Sequence, residues 1–145
     1  MQGIKRARIL TAVSVVGILG GCAMWNEAMR GGGGHQVSLS GRNEVPPVST
    51  AATGSGMVMV KPDCSVSARI TVSGMTATAA HIHEGAAGVD GPVIVPLKES
   101  GSNTFVAAEG AKFTESQCAA HRAGNTYVNV HSAQHKGGEV RAQLK

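Results

Sequence analysis

Aromatic side chains are scarce. Trp25, Phe105, Phe113 and Tyr127 are the full set in 145 residues, and they are scattered. With no aromatics interleaved among basic residues, a stacking surface for nucleic acid is excluded. Aspartate is scarcer still, with only Asp63 and Asp90. A Ser-His-Asp triad therefore has few candidates. No Gly-x-Ser-x-Gly turn is present, and Ser132 beside His131 forms no nucleophile motif. Gly85-Ala86-Ala87-Gly88 is not followed by Lys-Ser/Thr, so it reads as a loop rather than a phosphate cradle.

Positive charge is also less abundant than the total suggests. The formal charge of +4 includes Lys5, Arg6 and Arg8, and without those three it is +1. These residues form the basic start of a secretory signal, and Ile9 to Ile18 is its apolar stretch, too short to span a bilayer as a mature helix. Leu19-Gly20-Gly21-Cys22 then reads as a lipobox. The expectation is a lipoprotein signal peptide over 1–21, with acylation of Cys22. An uncleaved anchor with an incidental Cys22 is the alternative. Each buried methylene contributes about 0.8 kcal/mol, so two or three chains hold a protein firmly on a membrane. Ala23 stands where an Asp commonly retains lipoproteins at the inner membrane. That predicts an envelope location at the outer membrane, facing the periplasm or the cell surface. Residues 22–35, with Gly31 to Gly34, read as a flexible tether, and 36–145 as one folded domain.

Cys64 and Cys118 remain, in a chain sent to an oxidising compartment, and a disulfide is the simplest expectation. It would close a loop of about 55 residues and contribute roughly 4 kcal/mol. Thiolate ligation of a metal is the alternative, although neither Cys has a second Cys at ligand spacing.

The rest of the chain alternates like β-structure. Strands are predicted at 36–40, 56–60, 66–72, 79–83, 92–97, 103–107, 126–131 and 139–144, with Gly and Pro punctuation. Thr114 to Arg122 is the one helical candidate, with Thr114 as N-cap and Gly124 just past its end. The expected fold is all-β: a β-sandwich or barrel of seven to eight short strands, the sandwich preferred, with one short helix.

The histidines carry the chemistry. His81-Ile82-His83 places two imidazoles on one strand face, with Cα atoms about 6.7 Å apart. Both can reach one ion at about 2.0–2.1 Å per nitrogen. On the strand 126–131, Val128 and Val130 take one face, and Tyr127, Asn129 and His131 the other. If the two strands are neighbours, His131 is the third ligand. His135 and His121 are candidates for a fourth, and His35, beside the tether, is the weakest participant. Three imidazoles with few carboxylates favour copper, or else zinc, over calcium or magnesium.

Four segments together resemble the CHRD domain, a family named after chordin. They are Leu39-Ser40-Gly41-Arg42-Asn43-Glu44-Val45-Pro46-Pro47 with Thr53-Gly54-Ser55-Gly56; Ala80-His81-Ile82-His83 with Gly91-Pro92-Val93; Gly124 to Ser132; and Gly137 to Leu144. The resemblance implies an immunoglobulin-like or Greek-key β domain. It also implies that His81, His83 and His131 occupy the family's His-x-His and Val-His positions. Cys64, Cys118, His121 and His135 depart from the family pattern. The His-x-His strand is also distantly similar to the copper strand of Cu,Zn superoxide dismutase.

Three functions follow as expectations. The first is a membrane-anchored metal-binding protein of the envelope, serving sequestration, delivery or resistance. The second is a copper redox enzyme of superoxide dismutase type, with Arg141 or Arg122 as a guiding charge. The third is a metal-free structural or adhesion module with an envelope protein partner and no cofactor.

Overall fold

A computed structural model describes residues 33–145. The signal segment, Cys22 and the tether up to residue 32 lie outside the described residues. Eight antiparallel strands form: β1 (Gly33–Ser40), β2 (Thr53–Val60), β3 (Val66–Ser73), β4 (Ala77–Glu84), β5 (Val93–Glu99), β6 (Thr104–Ala107), β7 (Thr126–Ser132) and β8 (Val140–Leu144). One helix, α1 (Glu115–Arg122), lies between β6 and β7.

The alternation read in the sequence sorts the side chains. Leu39, Val58, Ile70, Ile82, Leu97, Phe105, Val128, Val130, Val140 and Leu144 point inward and form one buried core. Branched and aromatic residues suit these strands because they fill space on a half-buried pleated surface.

The all-β expectation holds, but of its two architectures the preferred sandwich is not the one that forms: a single sheet closes into a barrel, in the order β1-β2-β3-β6-β5-β4-β7-β8. Three residues join β3 to β4, yet these strands are not neighbours, and β6 and β5 fill the interval between them. What would be one open edge is sealed where β3 pairs β6, through Arg69–Val106, Ile70–Phe105 and Thr71–Thr104. The other is sealed where β1 meets β8 through Ser40 and Arg141. Closure removes unpaired edges, which alternation along single strands cannot reveal.

The domain also starts earlier than composition suggested. Gly33, Gly34 and His35 belong to β1 and pair with Val60, Met59 and Val58. Backbone pairing needs no side chain, so glycines that look like spacer can lie in a ladder.

The helix forms where capping residues predicted it. The Thr114 hydroxyl accepts from the Gln117 N–H at 3.2 Å, and Gln117 Oε1 accepts from the Thr114 N–H at 2.9 Å. The chain leaves the helix through Gly124 at φ +78°, a left-handed conformation that glycine adopts without strain. A disulfide between Cys64 and Cys118 (Cα–Cα 5.8 Å) ties the helix to the β2–β3 turn.

Candidate metal centre

The site lies on the outer face of β4 and β7. These strands are antiparallel neighbours, with His83 opposite Tyr127, His81 opposite Asn129 and Ala79 opposite His131. Because Ala80, Ile82, Val128 and Val130 fill the barrel, the period of two turns His81, His83, Tyr127, Asn129 and His131 outward together. His131 is then the diagonal neighbour of His81, a separation that imidazoles can bridge.

This face is outward but not bare. The β4–β5 loop covers His83, and the β7–β8 loop covers His131. His83 and His131 are buried, and His81 is half-buried. His83 Nδ1–H donates to Gly91 O at 2.9 Å, and His131 Nδ1–H donates to Lys136 O at 2.9 Å. A carbonyl can only accept, so both Nδ1 atoms carry the proton and both Nε2 atoms keep a lone pair. His81 Nδ1 lies 3.0 Å from His131 Nε2. His83 Nε2 is buried and has no hydrogen-bond partner. One ligand atom from each of the three lies no more than 4.8 Å from the others.

The donor set fits a borderline transition metal. With bonds of about 2.0–2.1 Å, the His81–His131 nitrogen separation corresponds to an angle of about 91–97° at the ion. A ligand atom 4.8 Å from another exceeds the reach of one ion by about 0.6 Å, so a small ring rotation completes the set. Electrostatics favour the ligating form. Burial, then the His131 and His83 rings, hold the His81 pKa below its ordinary value. Burial does the same for His83, against the opposing Gly91 hydrogen bond. Both imidazoles therefore stay neutral and able to ligate.

A second layer of residues holds the first. The Tyr127 ring stacks on His83, and its hydroxyl accepts from the Gly91 N–H at 3.1 Å. The Arg141 guanidinium sits 3.4 Å from the Tyr127 centroid and is 1% exposed. It is held by Asp90 Oδ1 at 3.2 Å, Val89 O at 2.8 Å and Ala86 O at 3.2 Å. Glu44, from the β1–β2 loop, is also buried, and its Oε1 is unpartnered. Its pKa is raised to about 7, chiefly by burial, with Arg141 opposing. Sequence reasoning missed Glu44 and Asp90 because both lie in loops far from the histidines along the chain. The outward position of Arg141 on an otherwise inward-reading strand was the available signal.

Neither candidate for a fourth ligand joins the group. His135 lines a cleft with Gly74, Met75, Thr76, Gln134 and Glu139. His121 Nδ1 lies 2.8 Å from Thr126 Oγ1, at the first residue of β7. His131 is five residues further along that strand, about 17 Å away. The partner of His121 is His35, with the Nε2 atoms 3.2 Å apart. The residue that sequence ranked last thus has a specific contact.

The family model of the CHRD domain matches residues 35–144, nearly all of the described chain. No curated protein and no solved structure matches this chain.

Proposed function

The chain belongs to the CHRD domain family, and from that premise we propose that it is a membrane-anchored envelope protein that binds a transition metal for sequestration, delivery or resistance. His81, His83 and His131 are the ligands in this reading, with copper the first metal and zinc the second. The observation that carries it is His83 Nε2, a buried nitrogen with no partner beside two further imidazoles. Leaving such a group unsatisfied costs about 1–3 kcal/mol, and a bound cation removes that cost. Imidazole donors suit copper and zinc, and copper(II) binds such sets more tightly. Three protein ligands leave a coordination position free. The half-exposed side of His81 is where solvent or a partner could fill it.

Binding is favoured over superoxide dismutase-type catalysis. A guiding cation should face the open side of the site, but Arg141 is buried and bound to Asp90 and two carbonyls. Arg122 accompanies His121 instead. The anchor rests on the signal and lipobox pattern ending at Cys22.

Calorimetric titration of the purified full chain with Cu(II), Cu(I) and Zn(II) tests the reading. One tight equivalent should bind, and it should vanish in the His81→Gln/His83→Gln/His131→Gln variant. Millimolar or sub-stoichiometric binding would exclude it. Labelling with radioactive palmitate, lost in Cys22→Ala, tests the anchor.

A further inference from the structure

His35 and His121 come from elements 86 residues apart and meet outside the three-histidine group. We propose that they form a second metal site, a two-imidazole site for Zn(II) or Cu(II). The inference does not depend on the first site.

Geometry carries it. The two Nε2 atoms are 3.2 Å apart. With bonds of about 2.0–2.1 Å, one ion on both subtends about 100–106°, near the tetrahedral angle. If the ion lies on both lone-pair axes, the ring centroids should be about 5.0 Å apart. They are 5.0 Å apart, with the rings at 84°. A straight N–H···N hydrogen bond at the same nitrogen separation would spread the centroids to about 5.5 Å. The contact as it stands is a bent hydrogen bond, and the same bend suits two ligands converging on one ion.

The supporting groups match this role. Thr126 Oγ1, at 2.8 Å from His121 Nδ1, sets the ring's orientation, the part an outer hydrogen-bond partner plays in metal sites. Phe113 packs against the same ring at 5.8 Å between centroids. His121 is 9% exposed and so firmly placed, while His35 is half-buried. Beyond them a cleft of about 590 Å³ opens to solvent, with Val60, Arg122 and Lys145 on its walls, leaving room for further small ligands. The Arg122 and Lys145 charges oppose a bare cation. They make this site weaker than the three-histidine site and favour an anionic co-ligand such as chloride or hydroxide.

The test uses Zn(II) alone on the purified full chain, by calorimetry and by imidazole nitrogen NMR. Two equivalents of unequal affinity should bind, and the weaker one should shift the Nε2 resonances of His35 and His121. His35→Gln, at the more exposed partner, should weaken the second equivalent by at least about tenfold and leave the first intact. His121→Gln should do the same, with circular dichroism checking that the barrel persists. The His81→Gln/His83→Gln/His131→Gln variant should keep the weaker equivalent. Zn(II) binding that leaves the Nε2 resonances of His35 and His121 unmoved, or that is unaffected by both His35→Gln and His121→Gln, overturns the proposal whatever the total number of equivalents. A strong equivalent insensitive to the triple variant would instead count against the three-histidine reading.

Discussion

The rings of His83 and Tyr127 lie parallel, 7° apart in plane and 4.7 Å between centroids. The His83 imidazole is thus clamped on one face by an aromatic ring, and at its edge by Gly91 O. Tyr127→Ala should destabilise the domain by about 3–5 kcal/mol, as for other buried aromatics. Tyr127→Phe keeps the stack and loses the hydroxyl's two bonds to Gly91, one accepted from its N–H at 3.1 Å and a long one donated to its O at 3.5 Å, so it should cost about 1 kcal/mol. Urea denaturation of the two variants separates these outcomes, and equal losses would show that stacking is not the larger contribution.

Gly91 positions the ring of His83, one of the three proposed ligands. A Cβ at this residue would overlap Glu84 O and crowd Gly85, so Gly91→Ala must shift the backbone that holds His83 Nδ1. Metal affinity at the three-histidine site should fall by about 10–100-fold, the usual effect of an outer-sphere change. Zn(II) competition against a chromophoric chelator measures it, and unchanged affinity would mean the Gly91 carbonyl is dispensable.

Glu44 should make the metal-free domain more stable in mild acid. Its pKa rises from 4.5 to about 7 on folding, so the folded state holds the proton more tightly. The associated stabilisation is full below pH 4.5 and is lost as pH rises through about 7. Glu44→Gln should remove that dependence and raise stability above pH 7 by about 3 kcal/mol. Denaturation midpoints of both proteins across this range decide the matter; parallel curves would sink it.

His81 and His83 act in the opposite direction. Their folded pKa values lie below the ordinary 6.5, so the unfolded chain takes up protons first as pH falls. Their contribution is complete above pH 6.5 and declines below it. Loss of these two imidazoles as ligands by protonation should therefore begin at lower pH than for an unshifted ring, which NMR titration of His81 and His83 in the metal-free domain measures. Titration of either ring at or above the ordinary 6.5 would show that burial does not suppress its protonation.

Reducing the Cys64–Cys118 bridge should cost about 4 kcal/mol on the chain-entropy model. Thermal melts of Cys64→Ser/Cys118→Ser should show it, with β circular dichroism retained at low temperature.

Much of this fold was legible because alternation is local. Val128 and Val130 against Tyr127, Asn129 and His131 could be sorted from six residues of sequence, and so could His81 and His83 on one face. The helix announced itself through Thr114 and Gly124. Closure of the barrel was not legible, since a strand's pattern names its buried face and not its neighbours. Gly33 and Gly34 carry no side-chain signal, yet they pair with Val60 and Met59. Glu44 and the His35–His121 contact depend on loop and helix placement across long stretches of chain, which no short window contains.

Among the described residues, the first and last strands are joined by one residue pair, Ser40 with Arg141. The same Arg141 carries the guanidinium packed on Tyr127, which in turn backs His83. Unzipping the cylinder at its seam therefore removes the support behind His83, one of the three proposed ligands. If the three histidines hold an ion, opening of the seam would loosen one of its ligands, so breathing of the barrel and metal affinity would be coupled.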